Sequence, residues 1–203
     1  MSNTLDLADY RRRVSDLYTA VRRSTDGEGA WTEWRAGRDR LFATHPQSPV
    51  PPDERDGFAG AAFFAYDPGW LVLATVDAVE DEPVLIDHSG DGNTRFARFG
   101  TATATVGGRR VALDVYWLDS YGGGLFLPFA DATNGGPTYG GGRYLLDTAK
   151  GADLGLRDGA LVLDFNYSYH PSCVWDDRWS CPLAPPGNRL DLAVEAGERL
   201  SRP

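Results

Sequence analysis

The chain has 203 residues, 42% of them hydrophobic and 24% charged, with a formal net charge of -9 at pH 7 and a pI near 4.7. That length supports one well-buried core without requiring a second domain, and the balance of apolar and charged residues excludes general disorder. The acidity argues against nucleic acid or an anionic membrane surface as a partner, because both need clustered positive charge.

Met1 to Asp9 carries no basic segment followed by an apolar stretch, and no apolar run reaches membrane-spanning length, so a cytoplasmic location is expected. Within residues 4–24, Leu5, Leu7, Tyr10, Val14, Leu17, Tyr18 and Val21 recur at spacings of three and four, which predicts an amphipathic helix. A break at Asp26-Gly27 precedes Trp31, Trp34, Leu41 and Phe42, which predict a second helix ended by His45-Pro46 and the prolines up to Pro52. Residues 1–45 are therefore expected as helices packing on a β-rich core over residues 58–199, the whole chain forming a single domain.

From Phe58 the pattern changes to short runs of Val, Phe, Tyr, Leu and Thr separated by turn residues. It predicts strands near 58–66, 70–79, 83–88, 94–106, 109–118, 124–129, 143–147, 160–166 and 190–195. Gly107-Gly108 between two long alternating runs reads as a tight hairpin turn. Short connections without helical crossovers imply antiparallel pairing. The expected fold is mainly β, an antiparallel β-barrel or sandwich of about nine strands with two N-terminal α-helices, with closure favoured because it hides strand edges. Residues 135–142 are too rich in glycine for a regular element, and residues 171–186, holding Cys173, Trp175, Trp179 and Cys181, are likewise irregular.

Several polar groups are candidates for chemistry. Arg143 follows the glycine-rich loop, where a guanidinium can clamp a carboxylate or phosphate in a bidentate manner; the alternative is a structural pair with Asp131 or Asp164. Asp131, Asn166 and Trp175 join Arg143 as candidate ligand-binding residues, while Asp164, His170 and Tyr139 are candidate acid–base groups. His170, Cys173 and Cys181 have donor types that zinc accepts, with Asp164, Asp176, His45 or His88 as a fourth. No paired C-x-x-C motif supports that set, so neither a metal nor another cofactor is expected, and two packed thiols or a local disulfide account for the cysteines. A P-loop lysine, a G-x-S-x-G elbow and the zinc-deaminase signature are all absent from the sequence.

A series of blocks in chain order carries a family resemblance. They include Leu127-Pro128-Phe129-Ala130-Asp131-Ala132-Thr133, Thr138-Tyr139-Gly140-Gly141-Gly142-Arg143-Tyr144-Leu145, Leu163-Asp164-Phe165-Asn166 and Cys181-Pro182-Leu183-Ala184-Pro185-Pro186-Gly187-Asn188-Arg189-Leu190, flanked by His45 to Pro49 and Ala196-Gly197-Glu198. Over roughly Trp34 to Arg199 the chain resembles DUF1684, an uncharacterised bacterial and archaeal family. The resemblance implies no assigned reaction, substrate or cofactor. It also implies asparagine at the position of His170, where this chain departs from the pattern.

Two functional expectations follow from these residues. The first is a small-molecule-binding β-barrel, in which an aromatic-lined, anionic ligand meets Arg143; six tryptophans, nine tyrosines and nine phenylalanines supply the lining. The alternative is a small-molecule enzyme, a hydrolase or isomerase, using acid–base residues between Tyr139 and His170. Nothing in the sequence fixes an oligomeric state.

Overall fold

A computed structural model of the chain describes residues 3–201. Helix α1 spans Asn3–Arg23 and helix α2 spans Gly27–Thr44. The Asp26 side chain caps α2 by accepting from Gly29 N at 3.0 Å, which satisfies one of the free amides of its first turn. The two helices pack against each other, and their apolar stripes meet the rest of the core through aromatic edges. Trp34 sits edge-on to Tyr18 at 5.8 Å and to Tyr167 at 5.0 Å, while Trp31 Nε1 donates to Asn166 O at 3.0 Å.

The β part is one antiparallel sheet of seven strands: β1 (Leu71–Asp87), β2 (Asn93–Val106), β3 (Arg109–Leu118), β4 (Leu125–Phe129), β5 (Arg143–Asp147), β6 (Leu156–Arg157) and β7 (Ala160–Asp164). Their order is β5-β4-β3-β2-β1-β7-β6, so the expected barrel or sandwich of about nine strands is corrected to one open sheet of seven. Four differences account for this, one of them the two-residue strand β6, which lies in none of the predicted ranges. The runs at 70–79 and 83–88 belong to one strand, β1, because a register shift between Ala78 and Glu82 bends the chain without turning it back. The runs at 58–66 and 190–195 cross the core as irregular chain, the first held by an isolated Phe63–Glu198 bridge.

Edges are handled without closure. β6 has only two residues, and β5 is covered by Tyr169, whose N–H and C=O pair with Tyr144 at 3.1 and 2.9 Å in a single bridge. A short edge strand and a covering segment both prevent edge-to-edge pairing, so the energetic argument for a closed barrel is met by other means. Gly107 and Gly108 form the expected β2–β3 turn with φ of 55° and 76°, the left-handed values such a turn requires.

The C-terminal segment runs back through the core as a strap. Gly197 O accepts from Phe64 N at 3.0 Å, Glu198 N donates to Ser168 O at 2.8 Å, and Arg199 N donates to Ala62 O at 2.9 Å. Gly197 has φ +77°, and a Cβ there would lie 2.6 Å from the carbonyl oxygens of Phe165 and Ser168. Only glycine lets the strap pass that closely, and its passage sets the Glu198 carboxylate, fully buried, against α2 and His170.

Candidate functional site

A cavity of about 80 Å³ lies where α1 and α2 meet the segment from Tyr169 to Trp175. Its wall includes Tyr18, Trp34, Arg38, Phe42, Tyr169 and Trp175, with Lys150 also lining it. Lys150 pairs with Asp147 at 2.9 Å and keeps about half of its side chain exposed.

Arg38 is the buried charged group in the wall. It projects from the buried face of α2, sandwiched by aromatic rings, with its guanidinium carbon 4.3 Å from the Phe42 centroid and 5.1 Å from that of Tyr169. Its Nη2 donates to Glu198 Oε2 at 2.7 Å, while Nη1 is buried and has no partner among the described residues. Glu198 Oε2 also accepts from His170 N at 3.0 Å. Burial pushes the Glu198 carboxyl up, but the Arg38 charge and the hydrogen bonds from His170 outweigh it and hold the group below its ordinary value. Arg38 and Glu198 are thus a charged pair at the cavity.

Two other residues of the wall carry unpartnered polar atoms, Tyr18 Oη and Trp175 Nε1. Tyr18 is 2% exposed, and burial raises its phenol far above the ordinary value, so it remains an O–H donor. Each buried polar atom without a partner costs about 1–3 kcal/mol. Arg38 Nη1, Tyr18 Oη and Trp175 Nε1 are donors without partners, which suits this wall to a small molecule that accepts hydrogen bonds; Glu198 Oε1, on the partner of Arg38, is a buried acceptor without one.

The residues singled out in the sequence fall into separate environments. Arg143 is fully buried: Nη2 donates to Asp131 Oδ2 at 2.9 Å and to Val194 O at 2.9 Å, while Nη1 donates to Glu198 O at 3.2 Å and also to Ala196 O. Asp131 Oδ1 accepts from Thr133 N at 2.7 Å and from Val194 N at 3.2 Å. Together they fasten the C-terminal strap to the sheet, which is the structural pairing expected as the alternative role for Arg143. Asn166 is equally occupied, exchanging hydrogen bonds with the Asp67 backbone at 2.8 and 3.1 Å and donating to Asp164 Oδ1 at 2.8 Å. Burial raises the Asp164 carboxyl, partly offset by these bonds from Asn166.

Asp164 faces a different hollow, lined by Tyr66, Leu71 and Tyr167, and is not brought together with His170. His170 Nε2 accepts from Tyr139 N at 3.2 Å, which puts the ring proton on Nδ1, 3.7 Å from Glu198 Oε1. Both nitrogens are therefore directed at protein groups. His170→Asn keeps a side-chain donor near Glu198 but is too short to replace the Nε2 acceptor. The expected cost is about 1 kcal/mol by denaturant unfolding, below that of His170→Ala. Among the described residues no group of three His, Cys, Asp or Glu side chains is placed to hold a metal ion. Of the sequence candidates, Trp175 and His170 line the cavity; Tyr139 instead contacts Cys173, with Oη 4.0 Å from Sγ.

Arg38, Glu198 and Tyr18 are the site residues that the sequence reading passed over. A signal was present for Arg38: it occupies a buried position of the stripe Trp31, Trp34, Leu41, Phe42, where an apolar residue is the rule. Its partner lies 160 residues away, so no local pattern could pair them.

The family model for "Protein of unknown function (DUF1684)" matches residues 56–199. The chain belongs to this family. Among solved structures that match, the solution NMR structure of an uncharacterized protein from Haloarcula marismortui shares 40% sequence identity with a TM-score of 0.62, covering 85% of this chain and 94% of that one. No curated protein matches. DUF1684 membership includes the strap and Glu198 but begins beyond Arg38 and Tyr18, so half of the cavity wall comes from helices outside the matched segment. Among the described residues no helix is long and apolar enough to cross a membrane.

Proposed function

We propose that this DUF1684 protein binds a small carboxylate in the cavity between its helices and the Tyr169–Trp175 segment. The observation that carries the reading is the buried Arg38 guanidinium with an unpartnered Nη1 in an aromatic wall. A carboxylate is the acceptor that a guanidinium fits best, and Tyr18 Oη and Trp175 Nε1 are further donors for it. The anion-recognising arginine is then Arg38 in place of Arg143. Size narrows the ligand: a cavity of about 80 Å³ is smaller than the ~150 Å³ that admits benzene, so a short-chain acid such as propionate is preferred. Binding is favoured over acid–base catalysis because both nitrogens of His170 are directed at protein groups and Asp164 lies elsewhere.

Thermal unfolding with acetate, propionate and butyrate against propionamide tests this. Propionate at a hundred times its dissociation constant should add about 2.7 kcal/mol of stability, several degrees in Tm, with none from the neutral amide. Equal shifts with acid and amide, or no shift with any acid, would end the proposal. Tyr18→Phe sharpens the test: deleting an unpartnered hydroxyl should leave the free protein as stable or up to about 1 kcal/mol more stable, while weakening propionate binding several-fold. A destabilised free protein would mean that the hydroxyl already serves the fold.

A further inference from the structure

The hollow that Asp164 faces lies between the end of α1, the start of α2 and strand β7, with a volume of about 190 Å³, and shares no lining residue with the carboxylate cavity. Asp164 closes β7 and is 3% exposed. The two hydrogen bonds that its carboxyl accepts, from Asn166 N at 3.0 Å and Asn166 Nδ2 at 2.8 Å, both end on Oδ1. Oδ2 has no partner among the described residues, and neither have the hydroxyls of Tyr66 and Tyr167 in the same wall. Both phenols are held by tryptophans of α2: the Tyr66 ring lies 5.6 Å from that of Trp31, and the Tyr167 ring 5.0 Å from that of Trp34. A Cβ at Gly27 would collide with Tyr66 Oη, so glycine at the start of α2 makes room for that hydroxyl. Three oxygen acceptors from three parts of the chain therefore line one hollow.

We propose that this hollow binds a primary alkylammonium ion, with its nitrogen at Asp164 Oδ2 and the two phenol oxygens and its chain against Val21, Leu71, Leu154 and Val162. An ammonium group carries three N–H donors and no acceptor, which matches three oxygens free to accept. A buried carboxylate without a counter-charge is costly, and a cation in contact with Oδ2 offsets that cost. Size fits a short chain: a cavity of ~150 Å³ admits benzene, so a four-carbon ammonium has room here. The inference does not depend on the carboxylate reading, because the two ligands would occupy separate walls.

The charges around the hollow favour a cation. Asp26 lines it together with Asp164, and Glu28 and Asp67 act on the Tyr66 phenol. Burial and then these carboxylates, Asp164 foremost, push Tyr66 up; burial and Asp164 do the same to Tyr167, so both phenols stay neutral with their lone pairs available. Two arginines also line the hollow, and both are turned to its margin. Arg22 donates to Asp153 O, stands 3.9 Å from Asp153 Oδ2 and donates from Nη2 to Thr19 at 2.8 Å, while Arg157 belongs to the exposed strand β6. The amides at the start of α2, which disfavour a cation, are opposed by Asp26, the acceptor of Gly29 N at 3.0 Å. Burial raises the Asp164 carboxyl against the hydrogen bonds from Asn166, so an ammonium that pairs with it competes with a proton. Affinity should therefore weaken as pH falls through the folded value of Asp164, which lies above its ordinary one.

Calorimetric titration of the full chain with butylammonium chloride, against 1-butanol and ammonium chloride, tests the assignment. Butylammonium should bind at least about tenfold more tightly than either control, because it alone carries both the charge and the chain. Asp164→Asn keeps an Oδ1 acceptor for Asn166 and puts an amide donor in place of Oδ2, so it should fold and lose butylammonium affinity about tenfold to a hundredfold. In the wild type, affinity should fall between pH 7 and pH 4. No binding of butylammonium, equal binding of either control, an affinity unchanged in Asp164→Asn, or one that is constant down to pH 4 would each overturn the proposal. The ligand comparison and the pH series use the wild-type chain and decide the matter even if the variant fails to fold.

Discussion

Arg143→Met is expected to lower the unfolding free energy by about 3–5 kcal/mol, the penalty for removing one partner of a buried ion pair. The substitution keeps an unbranched side chain of similar length but withdraws every hydrogen bond that Arg143 makes to Asp131 and to the carbonyls of Val194, Ala196 and Glu198. The Asp131 carboxylate, fully buried, then keeps only the amides of Thr133 and Val194. A domain of this size commonly has a total stability of about 5–15 kcal/mol, so the variant stands near the limit of folding. Tm should fall by roughly 6–20 °C. Arg143→Met with Asp131→Asn should recover part of the loss, because the stranded charge is removed as well. Denaturant unfolding of the two variants and the wild type measures both quantities. A loss below about 1 kcal/mol for the single variant would show that the strap does not depend on this pair.

Much of the fold was legible from residue periodicity. The alternating run at 109–118 is β3, that at 143–147 is β5, and 94–106 differs from β2 by one residue, each marked by a pattern that local physics alone enforces. The helices were legible for the same reason, since their stripes face one side. What misled was the assumption that apolar alternation always joins a ladder. The chain around Phe63 and Val194 is apolar because it fills space beneath the sheet, and its backbone is satisfied by single bonds to Gly197 and Asp131.

The site was less legible because its parts are distant in sequence. Arg143 stood out through its neighbouring glycines, yet Gly142 has φ +95° and a Cβ there would lie 2.6 Å from Phe129 O. The glycine therefore serves close packing of the loop on β4, not recognition of an anion. Arg38 looked like an ordinary helical arginine until the strap delivered Glu198 to it. A polar residue on an apolar stripe is the one local mark that such long-range pairing leaves.

Glu198→Gln should cost about 3 kcal/mol at pH 7, because it leaves the Arg38 guanidinium buried beside a neutral group. The pH dependence has a definite sign. Glu198 titrates in the folded protein below its ordinary value, so its contribution is present above that value and is lost as pH falls through the folded one. The difference between wild type and Glu198→Gln should therefore shrink in acid, and unfolding at pH 7 and pH 3 measures it. A second consequence links this pair to the cavity. With the internal carboxylate gone, a propionate in the wall becomes the counter-ion of Arg38, so the variant should bind propionate more tightly than wild type, about tenfold if the new pair contributes ~1.4 kcal/mol. Propionate should then restore part of the lost stability, whereas propionamide should not. Weaker propionate binding in Glu198→Gln would instead mean that Glu198 must hold Arg38 in position before any ligand is recognised.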